Sequence, residues 1–336
     1  MTTRHPSNKA RKHHFLPECY LKGWAGSDGR LVEYAVRYQG VAPRWTAPGG
    51  TGYGLDLYAM PALGARSDAL EKQLMAMIDS AAATALDRMR SDEALDDAAR
   101  RAFAALLTTL LTRTPASIEI LKQKLEEWRR KDRPDVQAIY ERFVWRPGMP
   151  TKASDQYAET DTPEQVQAFL AETLTSVLTH PRITNFLAGM TWQVLKLPDG
   201  APPLLTSDHP MITTNGLEAK DSYLFLPIGP RRMFLATHSR LFAGRLVGGL
   251  GLVKLARFAN ARVIERARRF VYGQDTREAA AVIAGFGSNR IQSIGEKMAM
   301  VDPWGRDRPP GYGVEDAVAD YVEWVRARVE AGAAEI

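Results

Sequence analysis

His13 and His14 stand side by side in the run Lys12-His13-His14-Phe15-Leu16-Pro17, and they are two of only six histidines in 336 residues. Neutral imidazole is a good ligand for zinc, manganese or iron, and it titrates near physiological pH. Neighbouring side chains diverge in a helix or strand, so two ligands to one ion would need a loop here. The other arrangement sends one ring to a site and leaves its neighbour to orient a group or cap the following helix. A basic surface tail with a satisfied histidine is the plain alternative. A second candidate is Asp208 in Leu205-Thr206-Ser207-Asp208-His209-Pro210. A carboxylate just past a strand end suits metal binding or proton transfer, because the strand fixes the backbone while the loop exposes the side chain. Ser and Asp before Pro also close ordinary turns.

Arg113, in Arg113-Thr114-Pro115, falls at the edge of a Phe103/Leu107/Leu111 helical stripe. From there it can aim a guanidinium fork at a carboxylate or phosphate, or simply complement a helix C-terminus. Glu71 and Asp79 lie on a helix with Leu70, Leu74 and Ile78. Asp79 is well off that apolar stripe, which reads as a solvated acid unless a groove faces it. Cys19 is the one cysteine, so an internal disulfide and a multi-cysteine zinc site are excluded. Its closeness in sequence to the histidines is poor evidence for a nucleophile, since such dyads assemble in space. No Gly-x-Ser-x-Gly elbow, His-Glu-x-x-His or kinase motif set is present.

Elements that could position these groups follow from periodicity and caps. Pro17 is a good first residue for a short helix running to Gly23 or Gly26. Arg30 to Val36 reads as a strand, and Ala47 to Gly54 as a glycine-rich loop without a phosphate-binding fingerprint. Residues 67–190 read as helical. Helices are expected from Ser67 through Ala85, over Phe103–Leu111 up to Thr114-Pro115, over Ile118–Lys131, and from Thr162-Pro163-Glu164 towards Leu178. Arg133 to Asp161 reads as a connection. Residues 191–300 carry the strand signals: Thr191–Leu197 and Pro203–Thr206 flank the hairpin-like turn Pro198-Asp199-Gly200, Tyr223–Pro227 and Met233–Ala236 flank Gly229-Pro230, and Phe270–Tyr272 resembles a buried strand. A helix is expected around Val253–Arg269 and a last one over Glu315–Arg328. The fold class is therefore α+β, a helical centre packed on a mostly antiparallel sheet built largely by the C-terminal half. Residues 1–11 read as a basic flexible arm, 12–300 as one composite domain, and 301–336 as a linker and helix.

The net charge is +5, with 45% hydrophobic and 25% charged residues, the balance of a globular chain. Gly229 to Pro310 holds 15 Lys/Arg against 6 Asp/Glu, so this segment is +9 while the rest is −4. Such a block can meet DNA or RNA phosphates; a solvated surface near the chain's own acids is the bland reading. The longest strongly apolar run, Ala102 to Leu111, is too short to span a bilayer, and no secretory signal is expected from the first residues, which fits a cytoplasmic location.

The ordered set His13-His14-Phe15-Leu16-Pro17-Glu18-Cys19-Tyr20-Leu21, Arg113-Thr114-Pro115, Thr206-Ser207-Asp208-His209-Pro210 and Phe225-Leu226-Pro227 resembles the bacterial family catalogued as "domain of unknown function 4238". That family opens with a stretch like His-His-Tyr-Val-Pro-Gln-Phe-Tyr-Leu and later carries Thr-Ser-Asp-x-Pro. The resemblance spans roughly residues 12 to 275. It implies that His13, His14, Arg113 and Asp208 converge in space. It also implies a glutamate where this chain has the shorter Asp79, and a glutamine where Glu18 adds a negative charge near the histidines.

Together these residues point to a metal-dependent hydrolase acting on phosphodiesters, a nuclease. His13, His14, Asp79 and Asp208 are the candidate ligands for a divalent ion (Mg²⁺, Mn²⁺ or Zn²⁺), with Glu71 as an alternative acid. His14, Arg113 and Asp208 are the candidate catalytic groups, and the 229–310 segment is the nucleic-acid contact. Two other readings stand beside it: a non-enzymatic nucleic-acid- or protein-binding module related to defence or toxin systems, and a hydrolase or transferase for a small anionic metabolite.

Overall fold

A computed structural model of the chain describes residues 11–289, apart from 131, 133, 215, 216 and 218, together with 296 and 297. Residues 1–10 of the expected arm, 290–295 and 298–310 of the basic segment, and the expected helix over Glu315–Arg328 lie outside the described residues.

The N-terminal part is made of short pieces: β1 (Lys12–His14), α1 (Glu18–Leu21), β2 (Leu31–Arg37), β3 (Gly40–Thr46) and β4 (Tyr53–Leu55). Helices follow: α2 (Ala76–Arg90), entered through a π-helical stretch Leu70–Met75, then α3 (Asp97–Thr112), α4 (Pro115–Arg130), α5 (Pro134–Ile139), α6 (Ala153–Thr160), α7 (Pro163–Leu178) and α8 (Pro181–Gly189). The C-terminal part comprises β5 (Thr191–Lys196), β6 (Thr206–Ser207), β7 (Ile212–Thr213), β8 (Tyr223–Gly229), β9 (Arg232–Thr237), α9 (Arg240–Leu250), α10 (Leu252–Arg266), β10 (Val271–Gly273) and α11 (Ala279–Gly285). The class is α+β, and the strand pairs are antiparallel.

Local chemistry explains the helices the spacing predicts. Asp96 caps α3 by accepting from the Ala99 N–H, and Thr162 with Gln165 forms a reciprocal capping box on α7. Phe103, Leu106, Leu107 and Leu110 of α3 are buried, as are Thr108, Thr109 and Thr112. These threonines remain compatible with an apolar setting because each hydroxyl donates to a carbonyl three or four residues back in the helix. The stretch from Arg133 to Asp161, expected as connection, instead contains α5 and α6; both are short, so their pattern is weak.

The sheets join distant parts of the chain. One has the order β3-β2-β10-β6, another β5-β9-β8-β7, and β1 pairs only with β4. Tyr223–Gly229 and Arg232–Thr237 form the expected hairpin. The turn Pro198-Asp199-Gly200 does not make one. β5 is paired along its whole length with β9, β6 pairs with β10 beside β2, and the carbonyls of Pro198 and Ala201 in the turn accept from the Arg231 guanidinium instead of closing a hairpin. The core under this arrangement unites Phe15, Leu16, Tyr20 and Trp24 with Phe103 and Leu107 of α3 and with Leu224, Leu226 and Phe234 of the hairpin. The apolar contacts thus lock the histidine-bearing segment between the helices and the sheet.

Candidate active site

Strand geometry settles what the two histidines do. His13 and His14 lie in β1, in register with Gly54 and Tyr53 of β4. Successive side chains of a strand point to opposite faces, so the rings diverge. The loop that would let both bind one ion is absent here. His13 is 0% exposed. Its Nδ1 accepts the Tyr58 backbone N–H at 2.9 Å, and its ring stacks on the Tyr58 ring at 5.6 Å. An accepting Nδ1 places the neutral ring's proton on Nε2, which lies 3.8 Å from Asp68 Oδ1. His13 therefore fastens the 56–68 segment onto β1.

His14 faces the other way, towards the first long helix. Its backbone N–H donates to Glu71 Oε1 at 3.1 Å, and its ring meets Tyr53 edge-on. Glu71, Met75 and Asp79 recur every four residues, so the π-helical stretch and the start of α2 present them in one row. Arg113 terminates α3, where its N–H still bonds Thr109 and its φ/ψ leaves the helix. Pro115 and the Thr114–Ser117 hydroxyl cap start α4 immediately afterwards. At this corner Arg113 turns inward and is 0% exposed. Its Nη1 donates to Asp79 Oδ1 at 3.0 Å and reaches Met75 Sδ at 3.7 Å, while its carbonyl accepts from the Tyr58 hydroxyl at 3.2 Å. Asp79, expected as a solvated acid, is only 21% exposed at its side chain. The helical wheel could not see α3 arriving on that side.

Four buried polar atoms of this cluster have no hydrogen-bond partner among the described residues: His14 Nε2, Glu71 Oε2, and Arg113 Nε and Nη2. Buried polar groups are nearly always paired, so four orphans in one cluster need a reason. The electrostatics are also uneven. Burial pushes the Glu71 carboxyl up to about 7; Asp79 and Asp68 add to that, and the His14 amide and Arg113 oppose it. Burial lowers the His14 imidazole, with Arg113 and Lys12 adding, against the pull of Glu18 and Asp79. Cys19 donates its thiol to the Asp79 carbonyl at 3.4 Å, and burial pushes that thiol up to about 11. At neutral pH it is a thiol, not a nucleophilic thiolate.

Asp208 belongs to a different construction. Its oxygens accept the backbone N–H groups of Arg268, Arg269 and Phe270 at 3.1, 2.9 and 3.3 Å, and its own N–H donates to the Phe270 carbonyl. The carboxylate closes the turn from α10 into β10. No described hydrogen bond, ion pair or charge interaction links it to His14, Asp79 or Arg113. The structure thus brings together His14, Glu71, Asp79 and Arg113, and it places His13 and Asp208 as fasteners beside and beyond them. The four-residue ligand set expected for a divalent ion does not assemble: His13 Nδ1 and both Asp208 oxygens are occupied by backbone amides. Among the described residues no group of three or more His, Cys, Asp or Glu side chains is spaced to hold a metal ion. Tyr58, which touches both His13 and Arg113, is a site residue that no sequence signal marked.

The basic segment is also divided by the fold. Arg231 and Arg232 donate to backbone carbonyls; Arg262, Arg268 and Arg277 pair with Glu265, Glu296 and Asp275. Arg240, Arg245, Lys254 and Arg257, on α9 and α10, are exposed. No helix among the described residues is long and apolar enough to cross a membrane.

An α+β chain whose N-terminal histidine strand, first long helix and α3 corner meet at one cluster of buried polar side chains is the class that the fold and site define. The chain belongs to the family described as "Protein of unknown function (DUF4238)", which matches residues 12–277. No curated protein and no solved structure matches the chain.

Proposed function

We propose that this cluster hydrolyses phosphodiesters, with His14 as general base and Glu71 as general acid. The observation that carries this reading is that His14 and Glu71, joined through the His14 backbone N–H, each keep one buried side-chain atom, Nε2 and Oε2, without a partner among the described residues. Their environments push them in opposite directions. The lowered imidazole is neutral and able to accept a proton at pH 7. The carboxyl, near 7, retains a substantial protonated fraction. A pair of groups separated in this way suits simultaneous acid and base roles.

A water oxygen attacks phosphorus while His14 Nε2 takes its proton. The bond from phosphorus to the leaving oxygen breaks, and Glu71 gives that oxygen its proton. Bulk water then exchanges the protons back. The exposed cations of α9 and α10 are what the basic segment still offers a nucleic-acid backbone, which makes DNA or RNA the preferred polymeric substrate.

Turnover of bis(4-nitrophenyl) phosphate and of short DNA and RNA strands, with and without Mg²⁺ or Mn²⁺, tests the reading. His14→Asn is expected to lower kcat by about 10²-fold or more with the melting temperature preserved. Absence of product under every condition, or a His14→Asn variant that melts early but turns over normally per folded molecule, supports the non-enzymatic alternative instead.

A further inference from the structure

We infer that one edge of Arg113 is a two-pronged receptor for the paired non-bridging oxygens of a phosphodiester. This deepens the hydrolase reading and rests on it for the choice of phosphorus over carbon.

The guanidinium is planar and carries five N–H donors in fixed directions. Nη1 is committed: it donates to Asp79 Oδ1 at 3.0 Å and points at the Met75 sulfur at 3.7 Å. That leaves Nε and Nη2, whose facing N–H bonds lie along the opposite edge and run parallel. Both nitrogens are buried and unpartnered among the described residues. A fork of this shape is the donor pattern that takes two oxygens of one oxyanion at once.

Three features make the edge a receptor rather than a flaw in packing. First, its orientation is held from outside. Asp79 anchors Nη1, and the Tyr58 hydroxyl donates to the Arg113 carbonyl, so both ends of the residue are tied down. Second, Asp79 uses a single oxygen on a single nitrogen, although carboxylate and guanidinium commonly engage through two parallel bonds. The strongest donor pair is thus kept clear of the chain's own acid. Third, the remaining orphans, His14 Nε2 and Glu71 Oε2, belong to the same cleft and include no second cation, so an anion taken by Arg113 meets one acceptor and one titrating carboxyl. The Arg113–Asp79 pair is neutral overall. A monoanion such as a phosphodiester is therefore matched better than a dianion. Asp79, with its side chain 21% exposed, is where this pair comes nearest to solvent.

Inorganic phosphate titrated into the full-length protein at pH 6, where it is mostly the monoanion, is the probe, followed by calorimetry and by the rise in melting temperature. Arg113→Lys keeps the charge and removes the fork, and it is expected to weaken phosphate at least tenfold. Equal affinity in the two proteins, or no phosphate binding to the unaltered chain, overturns the inference. If Arg113→Lys fails to fold, the arginine Nε–H spectrum of the unaltered protein decides. One buried resonance should move downfield and saturate with the calorimetric Kd, and an unmoved spectrum counts against the receptor. Dimethyl phosphate and acetate then separate the sources of an oxyanion. Stronger competition by dimethyl phosphate supports the phosphodiester, and stronger competition by acetate overturns it in favour of a carboxylate. Binding without turnover leaves the receptor standing and removes the hydrolase, while turnover insensitive to Arg113→Lys removes the receptor alone.

Discussion

Asp208 and Arg113 are both charged and both shielded from water, at 2% and 0% exposure, yet the chain treats them in opposite ways. Around Asp208 each carboxylate oxygen has a backbone donor, so three amides at the start of β10 are satisfied by one side chain. Around Arg113 the single acid takes one nitrogen, and two donors remain open beside an open imidazole nitrogen and an open carboxyl oxygen. The first arrangement makes backbone geometry; the second leaves interactions for something else to complete. Burial of charge alone does not mark a functional site. The bonds left unmade are what sets the Arg113 corner apart.

The contrast can be broken most sharply at the turn. Asp208→Ala removes one side chain and strands three buried N–H groups, so urea unfolding should show a loss of about 3–5 kcal/mol. A loss below about 1 kcal/mol would mean that water replaces the carboxylate and that the turn holds itself.

A change of the other sign is expected in the cleft. Glu71 has a folded-state value of about 7 against an ordinary 4.5, so the folded protein holds this proton more tightly than the unfolded chain. Stability is then greatest below about 4.5 and falls as pH rises through 7. Glu71→Gln removes that loss. Its advantage over the unaltered protein should grow across this window to about 2–3 kcal/mol at pH 8, while phosphodiester turnover disappears. A variant that is less stable at pH 8 would show that the carboxylate is a structural partner like Asp208.

The smallest effect is a pH slope at the turn itself. Burial pushes Asp208 up to about 6 and His209 down to about 4, the latter helped by Arg268 and Arg266. The raised acid loses stability as pH rises from about 4 to 6. The depressed histidine loses it as pH falls from 6.5 towards 4. The neighbours oppose each other, so together they add little to the slope that Glu71 sets between pH 4 and 6. His209→Asn should add the Asp208 slope, so that stability falls more steeply from pH 4 to 6 in thermal melts than in the unaltered protein; an unchanged profile would show that His209 is charged within the fold.

Much of the helical architecture was legible because its causes are local. The Asp96 and Thr162 caps and the Phe103/Leu107/Leu111 stripe are written within a few residues of one another. The order of the motifs from His13 to Pro227 was enough to point to the family that matches residues 12–277. Pairing was not legible. The Pro198-Asp199-Gly200 turn has the composition of a hairpin, but Thr206 and Ser207 find their partners more than sixty residues on, in β10. Lys12–His14 is too short to announce itself as a strand, and only its register with Tyr53–Leu55 separates the two rings. Arg113 at the edge of a stripe and Asp79 off another were each compatible with solvent.

The amino-acid sequence by itself determined where the long helices α3, α4 and α7 lie, the sign and unevenness of the charge, and the order of the polar motifs, since caps, periodicity and composition act over a turn or two of chain. The tertiary structure decided which polar groups are left wanting. Desolvation and pairing depend on which distant segments close over a side chain, and the closure of α3 on α2 and of β10 on β6 gave Asp208 its three amides and left the Arg113 edge open.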